Sequence, residues 1–213
     1  DATLAELLLG VILVDTANLN TAIKATTRDL NAASALKDIC PTPTNRLYQD
    51  LINAKSDPDF WKGLSVLDCL KYDFKKFTAG RHTFGMSSIA QPIEELALKE
   101  HFDETVHEYA ASCGIEMLAV TSFVKKEGAE PHRQIFIHCL SSSTMEALKR
   151  HLVCFGKAGE GDSFRLTEMS LERLGFGDGQ SIRSSTASFF HQANIKASRK
   201  QVAPAILSFY SNL

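Results

Sequence analysis

The chain has 213 residues, of which 44% are apolar and 23% charged, and a formal charge of -2 at pH 7. That length and composition suit one full hydrophobic core, or one core and part of another. Lys and Arg are spread along the chain with no polybasic run, which excludes an evident nucleic-acid footprint or membrane-surface patch. Five cysteines (Cys40, Cys69, Cys113, Cys139, Cys154) are odd in number, widely spaced and free of any C-x-x-C pair. They argue against a disulfide framework or zinc site and for a reducing, cytoplasmic compartment. The longest apolar run, Leu7 to Val14, is far short of a bilayer span and lacks the basic flank of a signal peptide.

Position 1 is Asp, and the chain passes almost at once into apolar residues 4–14, so a piece cut from a longer protein is expected. Leu4 to Leu19 reads as a buried helix, apolar nearly all round. Thr26 or Thr27 can cap a second helix to about Leu36, and Cys40-Pro-Thr-Pro43 breaks the chain before a third, from Asn45 to about Ala54. The polar, proline-containing stretch Lys55 to Asp59 is the candidate hinge. Beyond it, Ser65 to Leu70 predicts a short helix, and Phe74 to Thr78 with His82 to Ala90 predicts a hairpin about Ala79-Gly80. Pro92 to about Cys113 predicts one helix stopped by Gly114. Ile115 to Val124 is a strand rich in β-branched and aromatic residues, with a partner from Arg133 to Leu140 across the Lys125 to Pro131 turn. Ser143 to Val153 is an amphipathic helix, Phe155 to Asp162 a glycine-containing loop, and Ser185 to His191 an edge strand. A last helix runs to about Tyr210. The expected class is α/β (α+β), a mixed sheet flanked by helices and preceded by a short all-helical segment.

Three places could carry chemistry. Asp15 ends the run Gly-Val-Ile-Leu-Val-Asp, where a carboxylate is costly to bury unless hydrogen-bonded, paired or metal-bound. A backbone-bonding aspartate at an element's end explains it equally simply. Ser198-Arg199-Lys200-Gln201 precedes the apolar positions of the last helix, so Ser198 can cap a helix whose free N–H groups attract anions. Two cations there oppose the helix dipole at roughly 0.3–1 kcal/mol each. A bound phosphate would account for them, and so would a solvated basic turn; Pro204 leaves the helix start open, as late as Lys200. In Tyr72-Asp-Phe-Lys-Lys-Phe77, alternation sets Lys75 with Asp73 and Phe77 on one face and Phe74 with Lys76 on the other. An edge strand guarded by lysines is the competing reading.

Other features carry less. His132 and His138 share a strand face but stand six residues apart, and His101 with His107 does not match a helical ligand pair. Gly175-Phe-Gly-Asp-Gly179 lacks the Gly-Lys-Ser/Thr ending of a phosphate loop and reads as a turn. Ser87, Ser88 and Cys113 have no local setting that would make them nucleophiles.

Leu-Leu-Gly-Val-Ile-Leu-Val-Asp-Thr near the start, Asp-x-Lys-x-Phe in the middle and Ser-Arg-Lys-Gln before the last helix occur in an order and spacing similar to the C-terminal half of the Asp-His-His (DHH) phosphoesterases. These include exopolyphosphatases, prune proteins and family II inorganic pyrophosphatases. His82-Thr-Phe-Gly-Met-Ser-Ser-Ile89 followed by Gln91-Pro92 looks closest to fungal exopolyphosphatases. Pyrophosphatases usually follow the aspartate with a Leu-Leu-Phe-Lys-Ser-Pro type sequence, where this chain has Ala17-Asn-Leu-Asn20. The resemblance implies that residues 1–54 are the helical end of a DHH metal-binding domain plus linker, and 55–213 the DHH-associated substrate-binding domain. It implies that Asp15 is a metal ligand and that Lys75, Arg199 and Lys200 bind phosphate oxygens. It also implies a divalent metal (Mg or Mn) in the full-length enzyme, held mostly by an N-terminal DHH domain that this chain lacks, with polyphosphate or pyrophosphate as substrate. The fragment alone is expected to be inactive and to bind neither nucleic acid nor membrane. A prune-like phosphodiesterase, or a non-catalytic phosphate-binding or protein-interaction module, are the other readings.

Overall fold

A computed structural model describes residues 1–125, 128–155, 164–170 and 185–213. They divide into two compact units, Asp1–Asp57 and Pro58–Leu213. The boundary falls within the polar stretch 55–59. Residues 126–127 of the expected turn, 156–162 of the expected glycine-containing loop, and the Gly175–Gly179 turn lie outside the described residues.

The first unit is helical: α1 (Ala2–Asp15), α2 (Thr27–Lys37) and α3 (Thr44–Lys55). Thr26 caps α2, its hydroxyl accepting from the Asp29 N–H at 3.4 Å while the Asp29 carboxylate accepts from the Thr26 N–H at 2.8 Å. This reciprocal box satisfies two donors that a helix start leaves open. Leu9, Leu13 and Ala33 form the buried centre. Gly10 lets α1 approach α3, since a Cβ there would lie 2.9 Å from Leu51 Cδ1. Helix α1 departs from expectation in two ways. It ends at Asp15 rather than Leu19, because Ala17, Asn18 and Leu19 take left-handed φ values of 51°, 62° and 60°. Nor is it buried all round: Leu4, Leu7, Leu8 and Val11 are exposed, because α2 and α3 engage one face of the helix and the apolar residues continue around it.

In the second unit α4 (Pro58–Gly63), α5 (Val66–Lys71), α6 (Ile93–Ala97), α7 (Phe102–Ser112), α8 (Ser142–Cys154) and α9 (Arg199–Ser211) flank a mixed sheet. Its strands are β1 (Lys75–Ala79), β2 (His82–Ile89), β3 (Met117–Val124), β4 (His132–Cys139), β5 (Leu166–Glu168) and β6 (Ala187–Gln192). Among the described residues their order is β1-β2-β3-β4-β6-β5. The mixed α/β class is therefore as the sequence leads one to expect. Strands β1 and β2 pair antiparallel about Gly80-Arg81, with Gly80 at φ 59° as a two-residue hairpin turn requires. Strands β2 and β3 are parallel, which demands a crossover, and α6 with α7 supply it.

Two expectations for this unit are corrected. The single helix over Pro92 to Cys113 is two helices, interrupted at 98–101 where His101 turns left-handed at φ 58°. The strand expected at an edge, β6, is interior, paired to β4 on one side and β5 on the other. Its run Ala187 to Phe190 is accordingly buried. The three-residue β5 is too short to carry a recognisable pattern.

Paired residues of neighbouring strands share a face, so register sorts the core into two layers. Leu118, Val120, Phe136 and Phe189 pack against α5, α6 and α7. Phe84, Met86, Ala119, Ile135 and Phe190 pack against α8 and α9. The first layer is pinned by Lys99, whose Nζ donates to the carbonyls of Trp61, Lys62 and Leu64 at 3.1, 3.0 and 2.8 Å.

Candidate functional site

One end of the sheet gathers what the sequence scatters. Parallel strands β2 and β3 both finish there, β4 begins there, and α9 starts above them. Asp73, Ser88, Ile89, Thr121, Phe123, Arg133, Ser198, Arg199 and Lys200 line a cleft of about 190 Å³ at this end. A crevice outside the carboxyl ends of parallel strands is where open α/β sheets bind ligands.

The start of α9 is built by local chemistry. The Ser198 hydroxyl accepts from the Lys200 N–H at 3.3 Å, and Gln201 Oε1 accepts from the Ser198 N–H at 2.8 Å. This box fixes the first helical residue at Arg199 and places Pro204 inside the helix, one turn beyond the start. Arg199 and Lys200 then occupy the first turn with no acidic residue beside them in the helix. Their surroundings differ. Arg199 is 14% exposed, and its Nη2 donates to Asp73 Oδ1 and Oδ2 at 3.0 and 2.9 Å while Nη1 donates to the Asp73 carbonyl. Asp73 is held at φ 47°, a conformation that non-glycine residues adopt at a cost of roughly 1–3 kcal/mol unless the surroundings enforce it. The Lys200 side chain is exposed and meets no carboxylate among the described residues.

The floor and far wall come from residues that sequence reasoning passed over. Ser88 and Thr121 are register partners on β2 and β3, with hydroxyl oxygens 3.0 Å apart. Thr121 is buried and its hydroxyl donates to the Ser87 carbonyl at 3.1 Å. Ser88 then donates its own O–H to Thr121 and turns it toward a ligand only by giving up that bond. Arg133, the second residue of β4, stands opposite Phe123. Its guanidinium carbon lies 4.4 Å from the centre of the Phe123 ring, and its Nε donates to the Ile195 carbonyl at 2.6 Å. Burial draws this guanidinium below its ordinary pKa, although an arginine keeps its charge throughout the working range. No carboxylate among the described residues pairs with it. A signal for Arg133 exists in the hairpin itself, since 123 and 133 stand symmetrically about residue 128. Nothing local indicates that this hairpin end lies under the start of α9.

The residues singled out from sequence are thus only partly brought together. Arg199 and Lys200 share the cleft. Lys75 opens β1 opposite Met86, so it leaves the sheet on the α8 and α9 face, exposed and outside the cleft lining. The alternation read in this strand holds: Phe74 stacks edge-on to Tyr109 and Lys76 donates to the Cys113 carbonyl, while Phe77 stacks on Phe84 from the other face. Asp15 belongs to the first unit, where it is exposed and ion-paired with Lys24. Among the described residues no three His, Cys, Asp or Glu side chains converge to hold a metal ion. The donor set of the described residues therefore does not fit a complete divalent-metal site. His138 is packed in the interior, in edge contact with the His107 ring. Ser87 donates to the Leu70 carbonyl in a buried setting. No helix among the described residues is long and apolar enough to cross a membrane.

The chain is similar in fold to a candidate family II inorganic pyrophosphatase from Methanococcus jannaschii, with a TM-score of 0.55 and 18% identity. The match covers 97% of this chain and 55% of that one, so this chain spans about half the length of that protein. The sequence pattern of the DHHA2 domain matches residues 49–209, and the chain belongs to the DHHA2 domain family.

Proposed function

We propose that this chain is the substrate-binding half of a DHH phosphoesterase that hydrolyses the terminal phosphoanhydride bonds of inorganic polyphosphate. The observation that carries the reading is the cleft at the start of α9, where three cationic side chains and one carboxylate surround a hydroxyl pair. Phosphate oxygens match that chemistry: planar guanidinium forks, a compact ammonium and helix-start N–H groups all favour a polyanion. Two cations opposing the dipole of α9 would become favourable once an anion sat between them. A charge pair about 4 Å apart is worth on the order of 4 kcal/mol at an effective dielectric of 20, enough to matter to the departure of a charged phosphate.

In this reading residues 55–213 grip substrate, and residues 1–54 are the helical end of a metal-binding domain plus linker. Divalent metal, Mg or Mn, would be held by groups of an N-terminal DHH domain, and Asp15 would join them only on giving up Lys24. The polar stretch at Lys55–Asp59 would serve as the hinge, and the protein would work in the cytoplasm. Lys75 would act as a further phosphate ligand, reached only if substrate extends beyond the cleft lining. Polyphosphate is preferred to pyrophosphate because Ala17-Asn-Leu-Asn20, the first three of them left-handed, stand in place of the sequence usual after that aspartate in pyrophosphatases.

Calorimetric titration of the chain with short polyphosphate, beside the Lys200→Ala variant at low and moderate salt, tests the reading. Binding that weakens about tenfold or more in the variant supports it. Equal binding by both proteins would count against it. Phosphate release from a substrate panel by the full-length protein then separates polyphosphate from pyrophosphate and from a phosphodiester. A chain that binds polyphosphate but hydrolyses nothing at full length is a binding module.

A further inference from the structure

We infer that Arg133, seated on the Phe123 ring, forms a second phosphate subsite that engages a phosphoryl group further along an oligophosphate than the one held at the start of α9. This rests on the phosphate-binding reading of the cleft. Two features separate Arg133 from Arg199. Arg199 already spends its fork on the Asp73 carboxylate and carbonyl, so its charge is largely compensated. Among the described residues Arg133 uses only Nε, on the Ile195 carbonyl, and no described carboxylate compensates it. A guanidinium partly withdrawn from water, lining a polar cleft and paired with no carboxylate among the described residues, is a cation that an anion would complete. The aromatic ring and the carbonyl hold it in one orientation, so little rotamer freedom is lost when a ligand arrives.

Position gives the subsite its identity. Arg199 is fastened to Asp73, just ahead of β1, whereas the Arg133 guanidinium lies over Phe123 on β3. Strand β2 lies between β1 and β3, so the two guanidinium groups are anchored on either side of it. A chain of phosphoryl groups can engage both, and Ser88 on the intervening β2 lines the cleft between them. The cleft is therefore matched to a linear oligophosphate, with Arg133 as the residue that senses length.

The test is calorimetric titration of the full chain with inorganic phosphate, pyrophosphate and tetrapolyphosphate, using Arg133→Gln and Lys200→Ala. Because Arg133 also packs, Arg133→Met, which keeps the stem on Phe123, serves as a second variant, with thermal melts to confirm folding. The expected result is that both Arg133 variants weaken tetrapolyphosphate about tenfold or more and flatten its salt dependence, while pyrophosphate changes less than about twofold. Lys200→Ala should weaken all three ligands. If Lys200→Ala weakens every ligand and the Arg133 variants weaken none, or weaken all equally, the second subsite is wrong and the phosphate-binding reading stands. If the unaltered chain binds no tetrapolyphosphate, both fall together.

Discussion

Arg199, at the first turn of α9, and Asp73, 126 residues earlier, are joined by a fork in which Nη2 reaches both carboxylate oxygens at 3.0 and 2.9 Å. The contact ties the last helix to the segment leading into the edge strand of the sheet. It also sets a carboxylate among the three cationic side chains of the cleft. Asp73 is thus a clamp for the fold, and for an anion in the proposed site it would be a competitor.

Removing that competitor should separate the two roles. Asp73→Asn keeps the side-chain shape and one acceptor but releases the charge on Arg199. Tripolyphosphate affinity measured by calorimetry is expected to rise about three- to tenfold at low salt, with the gain shrinking as salt screens the cleft. Stability in urea should fall by about 1 kcal/mol, since Asp73 is half exposed and an ion pair of that kind contributes little. Unchanged affinity at low salt would mean that Arg199 does not face the ligand.

Gly85, in the middle of β2, is constrained by packing. A Cβ at that position would lie 2.8 Å from Ile115 Cδ1 and closer still to the Phe74 ring. Gly85→Ala should therefore cost about 1–3 kcal/mol through overpacking, despite the better strand propensity of alanine. Chemical denaturation measures this. Combining it with Phe74→Leu, which makes room, should recover part of the loss, because neighbouring changes are not additive.

Alkali should destabilise the second unit through Cys139. Burial pushes this thiol up to about 12 from its ordinary 9.0. A folded-state pKa raised in this way means that above pH 9 the unfolded chain gives up a proton that the folded chain retains, so stability falls as pH rises from about 9 toward 12. Denaturation at pH 8 and pH 10.5 should show this decline, and Cys139→Ala should make it shallower. Alkylation at pH 8 in the folded state should label exposed Cys154 and leave Cys139 unmodified.

Features decided within a few residues were legible in the sequence. Thr26, one of the two threonines that could cap α2, and Ser198 each cap a helix as their residue types call for. The β1–β2 hairpin follows from its Gly-containing turn, and the split of Phe74 and Lys76 from Lys75 and Phe77 follows from alternation. The break at 98–101 was not legible. Helical periodicity runs through it, and the turn at His101 is made by packing of α6 and α7 under the sheet rather than by any breaker residue.

By itself, then, the sequence placed most of the helices, told which residues of Phe74 to Phe77 share a face, and set Arg199 and Lys200 together near a helix start. Capping and alternation involve neighbours in the chain, so their energetics are written in short stretches of it. The tertiary structure alone decided that β6 lies inside the sheet, that Asp73 takes the Arg199 fork, and that Arg133 lies at the same end of the sheet as the start of α9. Each of these depends on which strands pair across long separations, a choice set by the summed burial of both sheet faces.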